Sequence, residues 1–333
     1  MNTPSFHDDT WYRTRLAPPS PVANARRSKI IIDTDAANEI DDQFALAWAL
    51  LSSDQLDVQA VYAAPFSFAH RRAALPHAAP DAAPFNPPAE GMERSYHEIV
   101  KVFDLLRIPV AGRVLRGSPG YLPSGTQAVH SEAVDHLIAS ARAHQDAQPL
   151  YVLALGCVTN IASALLLAPD IVERIVVVWT SGYPSHAPHV NHSFNLEQDV
   201  AASQVLLDSG VPHVYLPGYH VGAQLRLSLP EIERYVQGSG AMGQYLHHLF
   251  THNPLWAIVG EPGRKPYSWV IWDVINIAWM INPEWVPSEL VRTPHLMADM
   301  RWQAAPQRHL MREAYAVQRD VIFQDFFGKL AGD

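Results

Sequence analysis

Short apolar runs that alternate with helical segments predict an α/β fold, with a mostly parallel central sheet flanked by helices, a Rossmann-like core and helical additions. Three observations carry this. The runs at 30–32, 58–63, 150–155, 175–179 and 213–216 are apolar without a period of two, the pattern of strands covered on both faces. Between several of them lie stretches with the i, i+3, i+4 spacing of helices. No linker interrupts the alternation, so residues 29–333 read as one domain.

The first 28 residues are polar, with Pro18, Pro19 and Pro21 close together, and read as an irregular or docked extension. They hold no continuous apolar stretch of the kind a secretory signal carries. Order is expected from Lys29. A strand ends in Asp33-Thr34-Asp35, a helix follows over 41–51, and a second buried strand covers 58–63. Residues 76–88 are too proline-rich for regular structure and read as a surface loop or lid; helical periodicity resumes over 93–106. Helices are predicted over 131–144, over 159–167 with a stop near Pro169, and over 200–208 with a stop at Gly210. From about 229 onward the chain reads as helical, with 270–281 as a buried piece.

Composition removes several classes of function. Of the 333 residues, 48% are hydrophobic against 17% charged, which is ample for a packed core and excludes global disorder. The 24 basic and 33 acidic side chains give a net charge of −9, which disfavours a nucleic-acid polymer as partner. No apolar run reaches the roughly 18–20 residues that span a bilayer, and the best stretch, 171–179, is broken by Glu173 and Arg174. Cys157 is the only cysteine and has no partner for a disulfide or a CxxC site, so a reducing, cytoplasmic compartment is expected.

The chemistry concentrates at the end of the first strand, where ligands of open parallel sheets bind. Asp33, Asp35, Asp41 and Asp42 fall within ten residues, with Asn38 and Glu39 between them. Such a cluster repels itself unless a cation neutralises it, and all-oxygen ligands favour a hard ion such as calcium or magnesium. A single aspartate there could merely support the helix N-terminus; four together point to a metal site. The chain lacks the GxxxxGK[ST] phosphate loop, the GxSxG elbow, the HExxH pair and the EF-hand spacing.

The string KIIIDTDAANEIDDQFALAWAL resembles the N-terminal signature of the inosine-uridine-preferring nucleoside hydrolase family. LALGCVTNIASALL, SFNLEQDVAASQVLLDSGVP and IWDVINIAWMINPEW resemble three further segments of that family, in the same order. The resemblance implies a calcium-dependent enzyme that hydrolyses the N-glycosidic bond of ribonucleosides to ribose and free base. It implies Asp35 as metal ligand and general base, with Asp42, the Leu155 carbonyl and Asp273 as further calcium ligands. Asp41 and Asn195 are similar to residues that hold the ribose hydroxyls, Asn38 and Ser67 are further candidates for substrate contact, and a homodimer or homotetramer is implied.

The chemical demand agrees with the cluster. Departure of the base leaves an oxocarbenium-like sugar, which calls for a held water, a carboxylate to deprotonate it and negative charge near the ribose. The leaving base must also be activated, and Trp272, next to Asp273, can stack on it; core packing is the alternative role for this tryptophan. Three departures from the family pattern stand out. Five residues separate Asp35 from Asp41 where three are usual, Ser193 replaces a glutamate, and the segment after Val61 lacks an asparagine. A calcium- and ribosyl-binding protein with lost turnover is therefore the alternative reading. A phosphatase is disfavoured, because no phosphate-gripping basic residue or glycine-rich loop adjoins the cluster.

Overall fold

The computed structural model describes residues 6–20, 27–75, 78, 85–253, 255 and 267–332. Six strands are laid down in the first two thirds of the chain: β1 (Ser28–Thr34), β2 (Leu56–Ala63), β3 (Val114–Arg116), β4 (Leu150–Ala154), β5 (Ile175–Ser181) and β6 (His213–Pro217). Helices α1 (Asp9–Arg15), α2 (Asp41–Leu51), α3 (Pro88–Leu105), α4 (Glu132–Ala143), α5 (Thr159–Leu167), α6 (Phe194–Glu197) and α7 (Val200–Asp208) belong to the same part. The later part adds β7 (Arg226–Ser228), α8 (Leu229–Glu231), α9 (Gly240–Thr251), β8 (Ser268–Val270), α10 (Val274–Ile281), β9 (Ser288–Arg292), β10 (His295–Leu296), β11 (Trp302–Gln303), β12 (Leu310–Ala314) and α11 (Arg319–Ala331).

The main sheet has eight strands in the order β3-β2-β1-β4-β5-β6-β12-β9. Every pairing in it is parallel except that of the edge strand β9 with β12. Alternate residues of β1 face opposite layers, as a pleated strand requires: Ile30 and Ile32 enter a core with Phe44, Trp48 and Trp279, and Ile31 enters one with Tyr62, Leu137 and Trp179. This two-faced covering is why the strands carry no polar alternation. Helix α2 is buried from Asp41 to Leu50, so its sequence is apolar on every side beyond the first turn.

Three sequence expectations change. The extension contains helix α1, capped by the Asp8 side chain, and its Tyr12 is fully buried and donates to the Gly210 carbonyl at 2.7 Å. Its apolar residues are too few and too close to prolines to announce a helix. Helix α3 begins at Pro88, five residues before the predicted start; proline suits a first helical turn, whose N–H needs no partner. The late region is not simply helical, because β9 and β12 extend the main sheet and two small ribbons, β7-β8 and β10-β11, accompany them. These strands are two to five residues long, and β7, β9 and β12 carry charged side chains, which hides their pattern. Of the predicted lid over 76–88, residues 76, 77 and 79–84 lie outside the described residues.

Candidate active site

From β1 the chain runs to β2 on one side, while β4 pairs on the other, so a crevice opens at the carboxyl ends of β1 and β4. A cleft enclosing about 560 Å³ lies there. Its wall takes Asp35 from the end of β1, Leu155 from β4, Thr180 and Ser181 from β5, and Gly218 and Tyr219 from beyond β6. Asp41 and Asp42 enter from the first turn of α2, and Trp272 and Asp273 from the start of α10. Asn276, one turn into α10, donates to the carbonyls of Ala154 (3.2 Å) and Val178 (3.0 Å), which anchors that helix against β4 and β5.

Asp41, Asp42 and Asp273 are buried, and each offers a carboxylate oxygen within 4.8 Å of the others. Asp42 also accepts the Thr34 hydroxyl. The backbone N–H groups of Trp272 and Asp273 lie near enough to Asp41 to favour its charged form, which brings the start of α10 beside that of α2. Burial raises the pKa of all three, that of Asp41 to about 7; for Asp42 and Asp273 the charges of neighbouring aspartates push in the same direction. Asp35 is 1% exposed, and burial, followed by the charge on Asp41, holds its carboxyl well above the usual range. Its Oδ2 accepts from Asn38 Nδ2 at 3.3 Å and from Gln198 Nε2 at 3.5 Å.

The donor set fits a hard cation. Carboxylates converge without imidazole or thiol among them, they raise one another's pKa, and Asn38 Oδ1 and Glu39 Oε2 are buried with no hydrogen-bond partner among the described residues. The compact trio contains Asp41 where the sequence reading has Asp35; Asp35 stands beside the trio, acting on Asp42 and Asp273 through its charge. The Leu155 carbonyl faces the same cleft and accepts from Asn195 Nδ2 at 2.6 Å.

Of the expected substrate contacts, Asn38, Asp41 and Asn195 line the cleft, and so do Ser193 and Trp272. Ser193 shares a 3.1 Å hydrogen bond with Ser181. Ser67 is buried and is not among the lining residues; its Oγ accepts from the Ala69 N–H at 3.1 Å. Trp272 is partly exposed and meets Tyr219 edge to face, with centroids 5.9 Å apart and planes at 88°.

Seven lining residues escaped the sequence reading as site residues, Glu39, Arg71, Phe194 and Tyr219 among them. Burial raises the Glu39 carboxyl to about 8, helped by the charges of Asp41 and Asp42. Arg71 packs over Phe194 and binds Glu197, a nearly buried carboxylate that also takes His70 (2.9 Å) and His192 (3.0 Å). These partners outweigh burial and bring Glu197 down to about 2. Tyr219 follows directly on the carboxyl end of β6, so the switch-point rule alone could have singled it out.

Comparison with known proteins agrees with this geometry. The model of the family described as inosine-uridine preferring nucleoside hydrolase matches residues 30–320. The pyrimidine-specific ribonucleoside hydrolase RihA of Salmonella paratyphi C is 26% identical over 285 residues, covering 77% of this chain and 80% of RihA. The purine-preferring ribonucleoside hydrolase from Gardnerella vaginalis superposes with a TM-score of 0.67 at 19% identity, over 92% of this chain and 98% of its own. The type III effector XopQ, solved with adenosine diphosphate ribose, gives a TM-score of 0.59 at 16% identity, over 96% and 95% of the two chains. With that family's model running through nearly the whole ordered fold and every segment of the cleft, the chain belongs to the inosine-uridine preferring nucleoside hydrolase family.

Proposed function

We propose that this enzyme, a ribonucleoside hydrolase, works by calcium-assisted attack of water on the N-glycosidic carbon, with Asp35 as the general base. The observation that carries this reading is the convergence of buried carboxylates on a cleft at the carboxyl ends of β1 and β4. Asp42, Asp273 and the Leu155 carbonyl would hold calcium, with Asp35 or Asp41 completing the set. Bound calcium would offset the clustered negative charge and make a water easier to deprotonate. Asp35 takes the proton from the attacking water, and the remaining carboxylates favour the positive charge that develops on the sugar. Asp41, Asn38 and Asn195 stand where they can orient the ribose hydroxyls; Ser67 has no such role. Trp272, with Tyr219 at its edge, offers the departing base an aromatic face.

The named relatives include pyrimidine-specific and purine-preferring enzymes, so purine and pyrimidine nucleosides are both substrates to test. The XopQ complex keeps a second reading in view, a protein that binds a ribosyl ligand with little turnover. Release of free base from inosine, adenosine and uridine by purified protein, with and without a calcium chelator, separates the two. Calcium-dependent release supports hydrolysis; ligand binding without release supports the binding protein. We further infer a cytoplasmic homodimer or homotetramer, which fits the unpaired, buried Cys157 and is checked by sedimentation and fractionation.

A further inference from the structure

A chain of polar groups that the reading above leaves unused ends on Asp35. It starts at the Tyr121 hydroxyl. That hydroxyl donates to Gln198 Oε1 at 2.7 Å. A carboxylate only accepts, so the NH2 of the amide faces Asp35 and its oxygen faces Tyr121, which commits the single phenolic proton to Gln198. Gln198 Nε2 is left to face Asp35 Oδ2, the oxygen that also takes Asn38 Nδ2. On the other side a Cβ at Gly156 would lie 2.9 Å from Asp35 Cγ and 3.0 Å from Oδ1, so only glycine lets the carboxyl sit there. Gln198 is 6% exposed and does not line the cleft.

We infer that Gln198, oriented by Tyr121, is a positioning residue that pins Oδ2 of Asp35 and leaves Oδ1, which accepts no side-chain hydrogen bond from the described residues, as the oxygen that takes the proton. The inference rests on Asp35 being the general base. The residue type suits the place. A lysine would repel a bound cation, whereas a neutral amide orients the carboxylate without adding charge. Hydrogen bonds of 3.3 and 3.5 Å are long, and such contacts tighten when substrate completes the site. Linked donors also polarise one another, which strengthens the terminal contact.

The test is a kinetic cycle of Tyr121→Phe, Gln198→Met and the double variant, with inosine and uridine as probes and calcium present. Gln198→Met should lower kcat about tenfold or more with KM within about threefold, because a misplaced base slows chemistry and leaves ribose binding alone. Tyr121→Phe should cost less, about three- to fivefold, and the double variant should match Gln198→Met, since the hydroxyl acts only through the amide. A purely structural role predicts a lower unfolding midpoint with kcat unchanged well below it, or losses that multiply in the double variant; either result overturns the inference. Asp35→Asn, measured alongside, keeps two failures apart. If it retains turnover, the assignment of the base is wrong and the relay falls with it. If it is inactive while Gln198→Met stays within about twofold of wild type, only the relay is wrong.

Discussion

Two groups of buried titratable side chains lie at opposite ends of the sheet, and only one of them is built for chemistry. At the carboxyl ends of β1 and β4, burial raises the pKa of Asp35, Asp41, Asp42 and Asp273, the charge of Asp41 adds to this at the other three, and all four open onto the cleft. At the amino end of β6, His213 is fully buried; both of its ring nitrogens and Nδ1 of His309 have no partner among the described residues. Burial lowers both histidines to about 3, and for His309 the charge of Arg308 adds to the effect. Rings of Phe6 (4.5 Å) and Tyr12 (5.2 Å), brought by the N-terminal segment, cover His309, and neither histidine lines the cleft. A displaced pKa is therefore a poor sign of a site by itself. The aspartates converge on an opening with oxygens to spare, while the histidines are sealed and stay neutral.

The sharpest way to break this comparison is to remove the proposed proton acceptor. Asp35→Asn keeps the shape and the two amide contacts but removes the carboxylate proposed as base, so base release should fall by two orders of magnitude or more, with the circular dichroism spectrum unchanged. Turnover close to wild type on a confirmed substrate would move the base elsewhere, Asp41 being the next candidate.

Calcium supplies the next largest effect. The aspartate end should retain close to one equivalent, and saturating calcium should raise the unfolding midpoint; at a hundred times Kd the gain is about 2.7 kcal/mol. Asp273→Asn should weaken both, since it removes one of three converging carboxylates. Less than about a tenth of an equivalent after preparation in calcium, or a tetrahedral site with nitrogen ligands, would sink the assignment.

The histidine end answers to pH instead. A folded pKa near 3 against an unfolded value of about 6.5 means that the unfolded chain takes up the proton first. The stability these groups allow is present above about pH 6.5 and is lost as pH falls toward 3, with a slope of up to about 1.4 kcal/mol per pH unit for each histidine. His213→Met removes one titration, so its unfolding free energy should drop less between pH 7 and 4.5 than that of wild type. Parallel curves for the two proteins would show that His213 is not what titrates.

The two ends also differ in how far the sequence exposes them. The aspartates sit within ten residues at a strand end, and helix α2 falls at the predicted 41–51, so local spacing alone assembles most of the site. Asp273 comes from 231 residues beyond Asp42, and only the family motif brings it in. The relay through Tyr121 and Gln198, the clasp of Glu197 on Arg71, and the His213–His309 pair join segments far apart in sequence. Nothing in the neighbourhood of each residue announces its partner. Ser67 is the converse case: its position near a missing asparagine suggested a substrate contact, yet it is buried and is not among the residues that line the cleft.

Trp272 carries the smallest effect and tests the boundary between site and core. Its neighbour Val274 is fully buried in the core, whereas Trp272 itself is partly exposed, lines the cleft and rests edge to face on Tyr219. An ordinary aromatic contact is worth about 0.5–1.5 kcal/mol, so Trp272→Ala should lower kcat at least several-fold. The loss should be greater for inosine than for uridine, because a purine offers more ring to stack on. Equal losses on both nucleosides, together with a lower unfolding midpoint, would place Trp272 with the core and leave activation of the base to the other groups of the wall, Tyr219 first among them.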